Sequence, residues 1–240
     1  MNKKVIIIGA SSGIGEGLAR IYSENGFTVG LTARRLELLQ HISKELPGRS
    51  FIRRMDIANS DQAVKILTEL INEMHGLDII IINAGIGFIN PELDWEKEKS
   101  TIDVNVTGFT AIADFAMKYF FEQGFGQLIG ISSISALRGS THAPAYSASK
   151  AFMSHYLEGL RLLALKKKLP IYITDIKPGF VDTAMAKSDT LFWVASVRTA
   201  AMQIYKAIEK KRPHAYITKR WRLIAWLMKI TPARILAKYY

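Results

Sequence analysis

The 240-residue chain is 49% hydrophobic and 22% charged, the profile of a globular protein that buries a sizeable core and carries no low-complexity tract. It has no cysteine, which excludes disulfides, thiolate metal sites and cysteine nucleophiles, and its five histidines lack the close spacing of zinc-binding helices, so no metal is expected. The formal charge of +11 is concentrated at one end: residues 1–205 carry 22 basic and 20 acidic side chains, whereas residues 206–240 carry 10 basic and one acidic.

The first apolar run, residues 5–8, follows two lysines and stops at a glycine, too short for a signal-peptide core or a membrane span. A cytoplasmic protein is expected. Strands are predicted at 5–8, 28–32, 50–55 and 77–83, alternating with helices at 14–25, 35–46, 60–74 and 95–121. The second half continues with strands near 127–132, 171–177 and 215–218 and helices near 145–168 and 198–210. Four consecutive isoleucines at 79–82 suit a parallel strand covered on both faces. The alternation predicts an α/β fold, a doubly wound, mostly parallel seven-stranded sheet with helices on both faces, whose ligands bind beyond the carboxyl ends of the strands.

Between the first strand and first helix stands Gly9-Ala10-Ser11-Ser12-Gly13-Ile14-Gly15. Glycine permits unusual backbone angles and close approach, and a helix N-terminus offers unpaired N–H groups to a pyrophosphate. A serine-capped connection would need only one glycine, so phosphate binding by Gly9, Ser11, Ser12, Gly13, Ile14 and Gly15 is the favoured reading. The same residues contain G-x-S-x-G, a serine-hydrolase pattern, with Asp182 and His214 as the remaining triad candidates. Against it, a nucleophile elbow normally follows several strands, and neither partner sits in a supporting motif. The second strand leads into Arg34 and Arg35, with no acid to hold a ribose 2′-hydroxyl, so a 2′-phosphate is favoured and hence NADP(H) over NAD(H).

Tyr146 and Lys150 lie one turn apart on a predicted helix and share a face. A lysine charge about 5 Å from the phenol, at an effective dielectric near 20, favours the phenolate by about 3 kcal/mol, roughly two pK units. That brings tyrosine into a range useful for proton transfer. Ser133, thirteen residues earlier at the end of a predicted strand, could hold a substrate oxygen while Tyr146 gives or takes its proton.

In the glycine turn, Asn83-Ala84-Gly85, Asn105, Ser133, Tyr146-x-x-x-Lys150 and Pro178-Gly179, the chain resembles the compact, single-domain short-chain dehydrogenase/reductases, a Rossmann-type family. The resemblance runs from Val5 to about Thr218. It implies that Tyr146 is the general acid/base, that Ser133 positions the carbonyl, that Lys150 binds the nicotinamide ribose and lowers the tyrosine pKa, and that Asn105 holds a water linking Lys150 to bulk. It also gives Asp56 and Ile57 to the adenine, Asn83, Ala84 and Gly85 to the sheet end beside the cofactor, and Pro178, Gly179, Val181 and Thr183 to the nicotinamide. A homodimer or tetramer follows from the resemblance alone. Two positions depart from the family pattern: Ile82 replaces the first asparagine of N-N-A-G, and Ile8 replaces a threonine.

The segment after Thr183, with Met185, Leu191, Phe192, Trp193 and Val194, is expected to form an apolar lid, with Met185 and Phe192 toward an apolar or long-chain substrate. A sensor that binds the cofactor without turnover is the rival class, but it would have no need of a tuned proton donor. Residues 1–218 are expected to form one cofactor-binding and catalytic domain, and residues 219–240 a basic, aromatic extension. Apolar residues fall almost all round that segment, and Pro232 should break any helix in it. The extension suits peripheral contact with an anionic membrane, a cover for the substrate entrance or a subunit interface; nucleic acid fits its charge less well, because no recognised module surrounds it.

Overall fold

A computed structural model describes residues 2–183 and 192–239. Seven strands, β1 (Lys4–Ile8), β2 (Thr28–Ala33), β3 (Ser50–Arg54), β4 (Ile79–Ile82), β5 (Gly126–Ile131), β6 (Ile171–Pro178) and β7 (His214–Ile217), form one sheet in the order β3-β2-β1-β4-β5-β6-β7. Every neighbouring pair is parallel, so the sheet expected to be mostly parallel is parallel throughout.

Strand alternation divides the isoleucine runs between two cores. Val5, Ile7, Ile79 and Ile81 pack on one face beneath α1 (Gly13–Glu24), α2 (Leu36–Glu45) and α7 (Val197–Glu209). Ile6, Ile8, Ile80 and Ile82 pack on the other beneath α3 (Ser60–Met74), α5 (Phe109–Gln123) and α6 (Pro144–Lys167). Fully burying such a side chain is worth about 1.5–3 kcal/mol, which makes near-continuous apolar strands the natural solution for a sheet covered twice.

Two expectations are corrected. The strand foreseen at 77–83 spans only Ile79–Ile82: the Asp78 carboxylate accepts from the Lys4 N–H at one end, and Asn83 turns toward the glycine loop at the other. The helix foreseen at 95–121 is interrupted. After α4 (Trp95–Ile102) the chain makes a π turn over Asp103–Gly108 and only then enters α5. The turn centres on Asn105, whose fully buried side chain bonds to the backbone of Ile86 and not to its own helix.

The C-terminal segment forms α8 (Trp221–Ile230) and α9 (Ala233–Tyr239), separated at Pro232 as its missing N–H requires. Trp221, Ala225 and Met228 bury against Ile134 with Phe180 and Tyr216 around them, and Arg138 donates to the Met228 carbonyl at 3.1 Å. α8 is thereby fastened to the loops beyond β5 and β6. The apolar residues that surround it are explained by one face packing inward while another lies outside.

Candidate active site

The strand order reverses between β1 and β4, and a cleft of about 540 Å³ opens there beyond the carboxyl ends of the strands. At its floor the glycine turn uses left-handed backbone at Gly9 (φ +84°) and Gly13 (φ +58°). Asn83 donates to the Gly9 carbonyl at 2.8 Å, locking this turn to the end of β4. Ile82, where the family pattern has asparagine, is simply core. Gly15 stands behind the turn: a Cβ there would lie 2.1 Å from the Gly9 oxygen.

Ser12 begins α1 without a side-chain cap, so the helix's first N–H groups are not spent on it. Instead the Ser11 and Ser12 hydroxyls accept from the Arg35 guanidinium at 3.0 and 2.9 Å. This gathers a cation, two hydroxyls and a helix N-terminus at one corner, a donor set suited to phosphate. Arg34, Asp56 and Ile57 continue the wall. The hydrolase alternative fails here: Ser11 is bonded to arginine, and His214 is the first residue of the edge strand β7, away from the carboxyl ends of the strands, and does not line the cleft.

The catalytic candidates stand on the other side. Pro144 opens α6 at its first turn, and Glu98 of α4 accepts from the Ala145 N–H at 3.1 Å, fixing the start of the helix that carries Tyr146 and Lys150. The Lys150 ammonium is buried, donates to the Ile131 carbonyl at 2.9 Å and lies 5.7 Å from the centre of the Tyr146 ring. Burial lowers its pKa from 10.5 to about 8, partly offset by the negative charge of Asp175. It remains predominantly charged at neutral pH, as the proposed effect on the phenol needs. Ser133 lies two residues beyond β5 and caps the short turn Ile134–Leu137, its hydroxyl oxygen accepting from the Ser135 N–H at 3.1 Å. Its own proton is therefore the one it can offer to the cleft.

Asn105 does not line the cleft. Its amide donates to the Ile86 carbonyl and the Ser149 hydroxyl and accepts from the Ile86 N–H, tying the loop after β4 to α6. A Cβ on Gly85 would come within 3.2 Å of both the Asn105 oxygen and the Lys150 nitrogen, so these three groups are in close contact.

Gly9, Ser11, Ser12, Gly13, Ile14, Asn83, Ala84, Gly85, Ser133, Tyr146, Lys150, Pro178, Gly179, Val181 and Thr183 all border the cleft with Arg34, Arg35, Asp56 and Ile57. Phe192 does not. Its ring stacks on Trp221 and meets Phe180 edge-on, and the chain after it returns alongside Phe180–Asp182 through Ala195. Met185 and Leu191 lie outside the described residues.

Several contributors were not foreseen. Gly87 gives the Tyr146 ring its place, since a Cβ there would lie 2.4 Å from the ring. Gly179, expected only as a border of the nicotinamide, also makes room for Trp221, whose ring a Cβ there would approach to 2.1 Å. Buried Asp175 accepts from Ser132 and pairs with Lys177, beneath the site. Only Gly87 had a visible signal, as the second glycine of Gly85-Ile86-Gly87.

The fold and the cleft define an α/β enzyme of the nucleotide-dependent oxidoreductase class. A family model described as short chain dehydrogenase matches residues 3–191, and the chain belongs to the short-chain dehydrogenase/reductase family. An uncharacterized oxidoreductase of Mycobacterium tuberculosis is 31% identical over 99% of this chain and 97% of its own length. An uncharacterized oxidoreductase of Myxococcus xanthus is 33% identical over 78% of this chain and 75% of its own length. Among solved structures, an alcohol dehydrogenase from Thermococcus sibiricus, complexed with 5-hydroxy-NADP, shares the fold with a TM-score of 0.80 at 20% identity, covering 90% of this chain and 96% of that one.

Proposed function

We propose that this oxidoreductase transfers hydride between NADP(H), in preference to NAD(H), and the carbonyl or alcohol carbon of an apolar or long-chain substrate. The observation that carries the reading is the convergence of Tyr146, Ser133 and a buried, charged Lys150 around one cleft, opposite the glycine turn. The nucleotide, when bound, supplies or accepts the hydride. In the reducing direction the Tyr146 hydroxyl gives its proton to the substrate oxygen, and the Ser133 hydroxyl donates a hydrogen bond to the same atom. The Lys150 ammonium stabilises the phenolate left behind, and Asn105 keeps the Ile86 loop and α6 in register while this happens.

Arg34 and Arg35 support a 2′-phosphate, and the T. sibiricus protein that shares the fold is complexed with an NADP derivative. Phe88, Ile89, Ile134 and Phe180 make the remaining wall apolar, which supports an apolar substrate. A dimer or tetramer belongs to the same reading.

The test is Tyr146→Phe, which removes one hydroxyl. Turnover of ketosteroid, acyl-thioester, aldehyde and sugar carbonyls with NADPH should fall by a factor of at least about 100, while NADPH affinity measured by fluorescence titration stays unchanged. A variant that turns over its best carbonyl at the wild-type rate overturns the assignment.

A further inference from the structure

Helix α8 is apolar on two opposite sides. Trp221, Ala225 and Met228 face the protein. At about 100° per residue, Leu223, Trp226, Leu227 and Ile230 fall on one arc opposite that buried face, and they are exposed by 68, 64, 51 and 56%. Arg222 and Lys229 border the arc on one side, and Arg220, at the helix start, borders it on the other. Every charged side chain after Glu209 is basic.

We propose that this face of α8 docks the protein on an anionic lipid bilayer. The helix would lie in the headgroup region with its exposed aromatic and aliphatic side chains in the acyl boundary and its flanking cations on lipid phosphates. Among the described residues no helix is long and apolar enough to cross a membrane, so the contact is with the surface. The charge pattern selects lipid over a second copy of the chain. Isologous pairing through this face would set Arg220, Arg222 and Lys229 against their own counterparts with no acid on the face to compensate. The contact does not depend on the reaction proposed above, and it places the membrane one helix away from the cleft, because Ile134 and Phe180 touch both.

The test is co-sedimentation of the full chain, at low ionic strength, with vesicles of phosphatidylcholine alone or of phosphatidylcholine mixed with phosphatidylglycerol. The protein should pellet with the mixture and stay in solution with phosphatidylcholine alone. Trp226→Ser with Leu227→Ser should weaken partitioning by more than about tenfold, and Arg222→Gln with Lys229→Gln by about thirtyfold. All four side chains are outside the core, and unchanged thermal midpoints should show that the variants remain folded. Failure to pellet with the anionic vesicles, equal binding to both vesicle types, or wild-type partitioning of the Trp226/Leu227 double variant overturns the proposal. So does a lipid-free dimer that this double variant abolishes.

Discussion

Replacing Lys150 by methionine exchanges a buried ammonium for an apolar chain of similar length. The difference between a pKa of 10.5 and one of about 8 corresponds to about 3 kcal/mol by which the fold disfavours the charged form. The sign follows from proton counts. Below pH 8 both folded and unfolded chains hold the proton, and the wild type bears the whole penalty. Between pH 8 and 10.5 the unfolded chain holds more protons than the folded one, so wild-type stability gains up to about 3 kcal/mol as pH rises. Lys150→Met removes the penalty and the pH-dependent gain together, and it leaves the Ile131 carbonyl without its lysine donor, at about 1–3 kcal/mol. Near neutrality the variant should therefore equal the wild type or exceed it by up to about 2 kcal/mol. Above pH 10 it should be the less stable of the two. Urea unfolding across this range, without nucleotide, measures both, and taking the difference between the chains cancels the other titrating groups. A difference that stays constant from pH 7 to pH 10.5 would refute the reasoning.

Three further outcomes follow from named contacts. Arg35→Ala removes the cation held over Ser11 and Ser12 and should raise the Kd for NADPH by about tenfold or more while changing that for NADH far less, read by fluorescence titration. Gly87→Ala pushes a methyl group into the Tyr146 ring. Displacing the phenol by about 1 Å should lower kcat by about a hundredfold with nucleotide affinity preserved, which steady-state kinetics can check. Gly179→Ala places a Cβ inside the volume of the Trp221 ring, so α8 must shift; a loss of about 1–3 kcal/mol and a changed tryptophan emission spectrum are expected.

How much of this could be read in advance depended on the distance over which each feature is encoded. The alternation of strand and helix was legible because β-branched runs such as Ile79–Ile82 and punctuating glycines act locally, and element ends shifted by only a residue or two. The glycine turn and the Tyr146–Lys150 spacing were legible for the same reason. Glu98 was not, because it meets the Ala145 N–H across 47 residues, and no pattern near either residue announces the other. Trp221 was likewise read as part of an extension, since its place against Gly179 exists only once β6 and α8 are side by side. The interruption at Asn105 escaped because apolar residues continue through it; its one local trace was a polar side chain where the helical pattern expects a buried one.

That interruption also determines which kind of genetic change the site can absorb. A π turn accommodates one residue more than a regular helix, so α4 and α5 keep their own periodicities about 100° out of phase with one another. Deleting a single residue anywhere in 103–108 would let the chain relax into an unbroken helix and carry Asn105 away from Ile86. A substitution in the same stretch would leave the phase intact. Variation in length across these six residues should therefore be much rarer among functional descendants of this chain than variation in their identity.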